Sequence, residues 1–359
     1  MSAIISIFIL GILVIVHEAG HFVVARCAGV RVLRFSMGFG PRLLTWTRGH
    51  TEYAVSAIPL GGYVKMAGEQ GEERQHQPWE YLSKPIATRG LIVFAGPFVN
   101  YLVALVSLWA VFVIGYPELL PVVGKLVPQM PAALAGLQPD DRIASVDGQP
   151  LASWEQMTKI IARSPERPLA FVIQRQQATF SVAITPKAKS LTDFLGQTKT
   201  VGQIGISPSG AFQSTRLAPF AAATRAVTQQ NEWLQQTLMA LLSMVTGRLS
   251  VRDSVTGPIG IVMLTSEAVK LGISPVLFLV SLFSLSLAVF NLFPIPILDG
   301  GHLLFLALEQ LRGRPISLKV QERSAQVGFA LLMSLVLVVC ANDLSRLGVF
   351  DKVAGWFHR

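Results

Sequence analysis

Two histidines and a glutamate stand within a long apolar stretch near the N-terminus. In ILVIVHEAGHFVVA (12–25), His17 and His21 are four residues apart, so on a helix both imidazoles project from one face. Two imidazoles placed in this way can bind one zinc ion, and Glu18 is positioned to activate a water on that metal. The H-E-x-x-H spacing therefore predicts a zinc site with its own acid/base.

The apolar surroundings of these residues strengthen the prediction. Ionisable side chains inside a membrane span cost several kcal/mol on most scales and are usually kept for function. Metal coordination would offset that cost. The alternative is that the polar side chains only join neighbouring helices through hydrogen bonds. We favour the metal site.

A catalytic zinc site needs a third protein ligand and an open position. The stretch NLFPIPILDGGH (291–302) supplies Asp299 after two prolines that interrupt regular helix. His17 lies past the middle of its apolar segment, and Asp299 lies near the C-terminal end of another. If both segments enter the membrane from outside the cell, both residues lie toward the cytoplasm and can meet there. His302 is a rival ligand one turn from Asp299. Because three ligands are already complete, we expect His302 to have a supporting or helix-end role.

Two amides, Asn100 and Asn291, are conspicuous in their apolar segments. We expect each to be a structural hydrogen-bonding residue. Asn291 is also close enough in sequence to Asp299 to contact a substrate.

The composition predicts an integral membrane protein. Of the 359 residues, 51% are hydrophobic and only 14% are charged, which is too apolar for one soluble domain. A helix of about 20 residues crosses the hydrocarbon of a bilayer. Four stretches have that length and apolarity: 3–24, 90–116, 271–298 and 324–342.

The basic residues indicate topology rather than nucleic-acid binding. The net charge is +9. Basic residues follow the first span and separate the third from the fourth: Arg26, Arg31, Arg34 and Arg42, then Arg312, Arg314, Lys319 and Arg323. By the positive-inside rule both loops are cytoplasmic. The termini and the long segment between the second and third spans then face outside, which in a bacterium is the periplasm.

The cytoplasmic segment after the first span has the pattern of β-hairpins. In residues 31–68, Gly and Pro separate short runs that are rich in Val, Thr, Tyr and Phe. The segment is unusually apolar for a cytoplasmic loop. We expect its strands to dip toward the membrane where protein or a cavity covers them.

The outside segment predicts a small α+β module of about 70 residues. Strand-like runs surround two helix-like pieces: strands at 122–127, 142–146, 169–175 and 179–185, and helices at 132–137 and 154–163. The stretch AGLQPDDRIASVDGQPL (135–151) resembles the PDZ-domain signature. PDZ domains bind an extended peptide by strand addition and often capture its terminal carboxylate. The alternative is an unspecialised folded ectodomain.

Five motifs together carry a resemblance to a known family, in order over nearly the whole chain. They are VIVHEAGHF (14–22), MGFGP (37–41), AGPFVN (95–100), AGLQPDDRI (135–143) and NLFPIPILDGGHLLF (291–305). The chain is similar to the site-2 protease family of intramembrane zinc metalloproteases. The resemblance implies that His17, His21 and Asp299 bind zinc and that Glu18 is the catalytic acid/base. It further implies that Asn291 helps hold the substrate backbone and that the strands after Arg31 form a membrane-reentrant β-sheet.

One feature departs from the family pattern. The most similar members carry two PDZ domains in tandem, whereas this chain has room for one, which looks most like the second of the pair. The departure puts in doubt the size-exclusion filter attributed to the tandem, but not the chemistry.

We therefore predict a polytopic α-helical membrane protein with four transmembrane helices, a membrane-reentrant β-sheet and one periplasmic α+β PDZ domain. The predicted segments are the first transmembrane helix 1–24, the cytoplasmic hairpin segment 25–89, the second helix 90–116, the PDZ domain and linker 117–210, the amphipathic or peripheral helical segment 211–270, the broken third segment 271–308, the cytoplasmic loop 309–323, the fourth helix 324–342 and the C-terminal tail 343–359.

The expected function is zinc-dependent hydrolysis of peptide bonds within transmembrane segments of single-span proteins. By the resemblance, substrates include an anti-sigma factor and signal-peptide remnants in regulated intramembrane proteolysis at the bacterial inner membrane. The other expected partners of the protein are the lipid bilayer and a peptide C-terminus at the PDZ domain. No nucleic acid is expected.

Two alternatives belong to other functional classes. The first is a membrane binding or scaffold module with a structural zinc site and a peptide-binding PDZ domain. The second is an ion transporter, since acidic residues and histidines in spans can form relays. Transporters usually show internal repeats with paired broken helices. The sequence shows one broken helix and no repeat.

Overall fold

The computed structural model describes residues 2–69, 75–192, 198–249 and 257–346. Within these ranges four helices are long and apolar enough to cross a membrane: Ile4–Cys27, Ile86–Ile114, Ile273–Asn291 and Lys319–Ser345. The prediction of four such helices is confirmed. Parts of five predicted segments lie outside the described residues: 1, 70–74, 193–197, 250–256 and 347–359.

The chain divides into two compact units. The first comprises 1–111, 223–237 and 251–359, and the second comprises 112–222 and 238–250. The helices are α1 (Ser2–Cys27), α2 (Ile86–Ile114), α3 (Pro131–Leu134), α4 (Trp154–Ala162), α5 (Pro219–Val245), α6 (Pro258–Leu271), α7 (Ile273–Asn291), α8 (Asp299–Arg312) and α9 (Leu318–Arg346).

Helix α1 ends three residues later than the predicted span because a glycine turn closes it. The amide of Val30 donates to the Ala25 carbonyl at 2.9 Å. Gly29, at φ 70°, supplies the left-handed conformation that this turn requires. The end of the helix is therefore set by its capping turn rather than by the last apolar residue.

The predicted hairpins after α1 form one long antiparallel pair, β1 (Val32–Arg48) and β2 (Thr51–Met66). The pair bends, since Phe35 is partnered by both Tyr53 and Val64. Beyond the bend, large apolar side chains are exposed: Phe39, Leu43, Leu44, Trp46 and Ile58. The first half of β1 is mostly buried, whereas the second half is exposed and carries apolar side chains.

Buried hydroxyls join α7 to α2. Ser281 donates to the Ala104 carbonyl and Ser284 donates to the Asn100 carbonyl, both at 2.8 Å. Such hydroxyl bonds join helices where the surroundings provide no water. Helix α8 is tied to α2 by a two-pronged ion pair between Arg89 and Glu309, with nitrogen–oxygen distances of 3.1 and 2.6 Å.

The predicted third span, 271–298, is shorter in the structure. Helix α7 ends at Asn291, and α8 begins at Asp299 after a stretch of turns. A Cβ on Gly300 would overlap the Phe293 carbonyl oxygen, and a Cβ on Gly301 would overlap the Ile295 carbonyl oxygen. The two glycines therefore let α8 start directly against the turn that carries the prolines.

The second unit contains a four-stranded antiparallel sheet in the order β6-β5-β7-β8. Its strands are β5 (Arg142–Val146), β6 (Gln149–Pro150), β7 (Leu169–Arg175) and β8 (Ala178–Ile184). β5 and β7 have the predicted bounds, β8 begins and ends one residue earlier than predicted, and α4 ends one residue earlier. Ser153 caps α4 by accepting the Gln156 amide at 3.3 Å.

Three strand pairs flank this sheet. They join β3 (Tyr116–Leu119) to β12 (Phe212–Thr215), β4 (Val123–Leu126) to β11 (Ile206–Pro208), and β9 (Lys187–Thr192) to β10 (Thr198–Gln203). Of these, only β4 was predicted. β9 and β10 are rich in Lys and Thr and largely exposed, so they lack the apolar alternation that marks a half-buried strand.

A buried carboxylate stabilises this unit. Asp141 is fully buried, and both of its oxygens accept from the Arg175 guanidinium at 2.7 and 2.8 Å. The Gln138 amide donates to the same carboxylate at 2.8 Å. Burial acts to raise the pKa of Asp141, but these donors outweigh it and hold the pKa below its ordinary value.

Candidate metal centre

Helix α1 and the start of α8 bring together the three predicted ligands. The Nε2 atoms of His17 and His21 are 3.2 Å apart. Asp299 Oδ2 is 3.0 Å from the first and 3.5 Å from the second. Both histidines are buried, with 7% and 8% of their surface exposed. Within the described residues these three side chains form one cluster that could hold a metal ion.

The three ligand atoms fit a zinc ion. Asp299 Oδ2 is buried and has no hydrogen-bond partner in acceptable geometry, although two ring nitrogens face it. Ligands of a tetrahedral zinc ion with bonds of about 2.0–2.1 Å lie about 3.3 Å apart. The observed separations of 3.0, 3.2 and 3.5 Å bracket that value. A cation would satisfy the orphaned oxygen and both imidazole lone pairs.

The backbone of α2 orients one of the two imidazoles. His21 Nδ1 is 2.8 Å from the Ile92 carbonyl oxygen. A carbonyl only accepts, so Nδ1 carries the proton and Nε2 keeps its lone pair toward the cluster. This contact fixes both the tautomer and the ring angle of His21.

Two glycines allow α1 and α2 to approach at the metal centre. A Cβ on Gly96 would overlap His21 Nε2 and would lie 2.8 Å from His17 Cε1. A Cβ on Gly20 would lie 2.6 Å from the Ala95 carbonyl oxygen. In the sequence, the AGPFVN motif contributes only to the family resemblance. The steric need for glycine at 96 depends on a contact between helices and has no local signal.

Glu18 faces the cavity beside the ligands. A Cβ built on Gly62 of β2 would lie 3.5 Å from Glu18 Cγ, so the side chain packs against that strand. The cavity has a volume of about 250 Å³, and Glu18, His21 and Asp299 all line it. The carboxyl group therefore has access to the space that a substrate or water would occupy next to the metal.

The remaining wall of this cavity is partly polar. It includes Tyr81, His302 and the Arg89–Glu309 ion pair. Burial raises the pKa of the Tyr81 phenol, so it stays neutral at physiological pH. His302 lines the cavity without being one of the three converging ligands. Asn291, the last residue of α7, is half-buried.

Comparison with known proteins identifies the family. The model described as Peptidase family M50 matches residues 5–335. A Rhizobium meliloti (strain 1021) protein is 36% identical over 95% of this chain and 96% of its own length. Its name describes it as a zinc metalloprotease by inference. The regulator of sigma-E protease RseP of Escherichia coli (strain K12) is 31% identical over 94% of this chain and 97% of its own length.

The alignments also differ in length. The alignment with E. coli RseP runs over 446 positions, more than the 359 residues of this chain, so RseP contains a segment that this chain lacks. The alignment with the R. meliloti protein runs over only 361 positions. The single PDZ-like signature of this chain agrees with this difference.

Two solved structures match part of the chain with low scores. The PDZ domain of an SdrC-like protein from Listeria monocytogenes covers 26% of this chain and 88% of its own, with 20% identity and a TM-score of 0.19. A solution structure from Geobacillus thermodenitrificans covers 20% and 80%, with 28% identity and a TM-score of 0.18. The PDZ interpretation of the module stays a prediction.

The family model and the curated relatives agree over most of the chain. This chain belongs to peptidase family M50, the site-2 proteases, and is a zinc metalloprotease.

Proposed function

We propose that the protein hydrolyses peptide bonds within the membrane-spanning segments of single-span proteins. One observation carries the proposal: His17, Glu18 and His21 lie on a helix long and apolar enough to span a membrane, with Asp299 3.0 Å from His17. The catalytic group and two metal ligands would then lie at membrane depth. A substrate would reach them through the membrane rather than from bulk water.

Each residue of the site has a distinct role in this proposal. His17, His21 and Asp299 would hold the zinc ion, which when bound lowers the pKa of a water and polarises the scissile carbonyl. Glu18 takes a proton from the attacking water and delivers it to the leaving amine. The position of Glu18 on the cavity wall beside His21 supports this role.

We propose that β1 and β2 present the substrate to the metal centre. A transmembrane helix hides its carbonyl groups in its own hydrogen bonds, so a substrate must unwind before it is cut. β2 packs against Glu18 at Gly62, and the bent pair exposes apolar side chains, including Phe39 and Trp46. Strand addition at this sheet would hold the unwound segment extended. These contacts support a membrane-reentrant sheet, and Asn291 is proposed to help hold the substrate backbone.

The PDZ-like module offers a groove for a peptide. Trp154, Met157 and Ile161 of α4 line a cavity of about 350 Å³ together with Ile204 and Ile206. Its apolar lining fits an extended peptide with an apolar end. We propose that this groove, in a periplasmic PDZ domain, binds the C-terminus of a substrate or of a previously cut fragment.

The proposed location is the bacterial inner membrane, with the active site toward the cytoplasm. The basic residues after α1 and around the start of α9 support this topology through the positive-inside rule. The name of RseP, a regulator of sigma-E, supports a membrane-bound anti-sigma factor as one substrate in regulated intramembrane proteolysis. Signal-peptide remnants are a second proposed class.

The scaffold alternative explains less of the site. A zinc ion that only tied α1 to α8 would need His17, His21 and Asp299 but would have no use for Glu18. The glutamate nevertheless lines the cavity next to His21. Its position favours catalysis.

Cleavage of a model single-span substrate by the purified full-length chain in detergent tests the proposal. Mass spectrometry of the products should place the cut bond inside the span of the substrate. Removal of zinc by a chelator should stop cleavage, and added zinc should restore it. A cut confined to residues outside the span, or cleavage that survives chelation, would overturn the proposal.

A further inference from the structure

We propose that Asn100 is the positioning residue of His17. Its side-chain oxygen accepts the proton on His17 Nδ1 and holds the imidazole with Nε2 toward the zinc ion. The inference deepens the metal site described above and rests on its role in zinc binding. It assigns to Asn100 a specific task beyond a general hydrogen bond between helices.

The starting observation is a buried amide oxygen without a hydrogen-bond partner. Asn100 is fully buried, and its amide nitrogen is placed 3.4 Å from His17 Nδ1. The other amide atom, Oδ1, is buried with no hydrogen-bond partner. Leaving a buried acceptor unpaired is unfavourable. The other orientation of the amide, in which its two polar atoms exchange places, should therefore be more favourable.

Exchange of the two amide atoms gives the buried oxygen a partner. The oxygen and nitrogen of an Asn side chain have nearly the same shape, and their assignment follows from the hydrogen bonds available. His17 Nε2 faces Asp299 and His21, so its lone pair belongs to the metal and the ring proton belongs on Nδ1. A 180° turn of the amide places Oδ1 opposite that N–H and leaves no donor facing a donor.

The same face of α2 serves both histidines. Ile92, Gly96 and Asn100 are spaced four residues apart and so lie along one side of the helix. The Ile92 carbonyl accepts from His21 at 2.8 Å, and Gly96 leaves room for both rings. Asn100 completes the row by serving His17. Each zinc-binding imidazole thus has its own acceptor on α2.

The neighbouring helix fixes the backbone at this position. Ser284 of α7 donates to the Asn100 carbonyl at 2.8 Å, and the Ser284 side chain is buried. One helical turn away, Ser281 makes the equivalent bond to Ala104 without contacting the site. Ser281 therefore provides a matched control: an equally buried polar contact between the same two helices.

Zinc affinity distinguishes a positioning role from a structural one. The full-length protein in detergent is titrated against a fluorescent zinc chelator as wild type, Asn100→Leu, Asn100→Asp and Ser281→Ala. Loss of an acceptor behind a metal-bound imidazole weakens metal binding by about 10–100-fold. We expect that loss for Asn100→Leu, near wild-type affinity for Asn100→Asp, and no change for Ser281→Ala.

The Asp variant keeps the test decisive if the Leu variant does not fold. A carboxylate buried there without a partner would be strongly destabilising, whereas one that accepts from His17 Nδ1 is satisfied. The visible spectrum of bound Co²⁺ should be preserved in Asn100→Asp and altered in Asn100→Leu.

Equal zinc affinity of wild type and Asn100→Leu would overturn the inference, and so would a loss in Asn100→Asp of more than about tenfold. Since the readout is metal binding, either result leaves the proposed proteolysis standing. Failure of the wild type itself to bind zinc would instead contradict the proposed function.

Discussion

Gly96 lies so close to His21 that a Cβ built on it overlaps the Nε2 atom. Helix α2 can therefore pack against the histidine rings of the metal centre only with glycine at this position. Gly96→Ala should therefore displace the His21 ring and lower both zinc occupancy and proteolysis by about tenfold or more. Zinc content per chain, measured by mass spectrometry of the metal, checks the prediction.

Gly90→Ala is the matched control for that variant. It lies on the same helix, and the nearest atom to its added Cβ is Leu303 Cδ2 at 4.0 Å. Alanine is the better helix former by about 0.5–1 kcal/mol, so this variant should keep its zinc and unfold no more easily than wild type. Equal zinc content in both alanine variants would contradict the steric account.

Asp299 and His302 are predicted to separate cleanly in their effects on zinc. Asp299→Ala removes a ligand whose oxygen is 3.0 Å from His17 Nε2. Loss of a residue that only hydrogen-bonds to a ligand weakens metal binding by about 10–100-fold, so zinc affinity should fall further in Asp299→Ala. His302→Ala should retain zinc, since its ring is outside the ligand cluster. Chelator competition on both variants measures this. Zinc loss in His302→Ala with retention in Asp299→Ala would reverse the assignment.

Asp141 should make the stability of the second unit depend on acid. Its folded-state pKa lies below the ordinary value of about 3.9, so the stabilisation is complete above that pH and is lost as pH falls through the lower folded-state pKa. Asp141→Asn should remove it at neutral pH and cost about 2–3 kcal/mol. Hydrogen exchange of β5 and β7 in the full-length protein reports the change.

The control for Asp141 is Asp147→Asn. Asp147 pairs with Arg167 at 3.2 Å, but 31% and 69% of the two side chains are exposed. Exposed pairs contribute about 0–1 kcal/mol, so exchange should barely change. Protection of wild type and Asp141→Asn should converge in acid, as the pH falls through the lowered folded-state pKa of Asp141. A constant difference across the acid range would show that Asp141 acts without titrating.

The ion pair between Arg89 and Glu309 should matter far more when it is broken than when it is replaced. Their side chains are only 8% and 16% exposed. Glu309→Ala leaves a buried guanidinium unpaired and should destabilise the protein by about 3–5 kcal/mol, whereas an apolar double replacement should be nearly neutral. A double-mutant cycle of thermal unfolding in detergent tests this. The exposed pair Lys270–Glu267 serves as the control.

Local patterns account for the elements that were predicted well. His17 and His21 share a helix face through their spacing alone, and β7 shows the apolar alternation of a half-buried strand. The predicted C-terminal ends of α1 and α7 differ from the observed ones. Gly29 and the turn after Asn291 stop these helices, whereas the prediction followed the length of each apolar run.

Features that depend on the approach of two helices could not be predicted. The need for glycine at 96 arises only when α2 packs on the imidazoles of α1. Asn100 was expected to be structural, because nothing in its neighbours along the chain indicates His17 as its partner. Such residues lack a periodic signal, since their partners lie in distant parts of the sequence.

A comparison of wild type with Glu18→Gln tests whether Glu18 drives hydrolysis at a zinc site, when both bound zinc and cleavage of a single-span substrate are recorded. Gln keeps the size of the side chain but cannot take a proton from water. We predict equal zinc in both proteins and a cleavage rate at least about 100-fold lower in the variant. Cleavage at the wild-type rate by a zinc-loaded Glu18→Gln protein would contradict it.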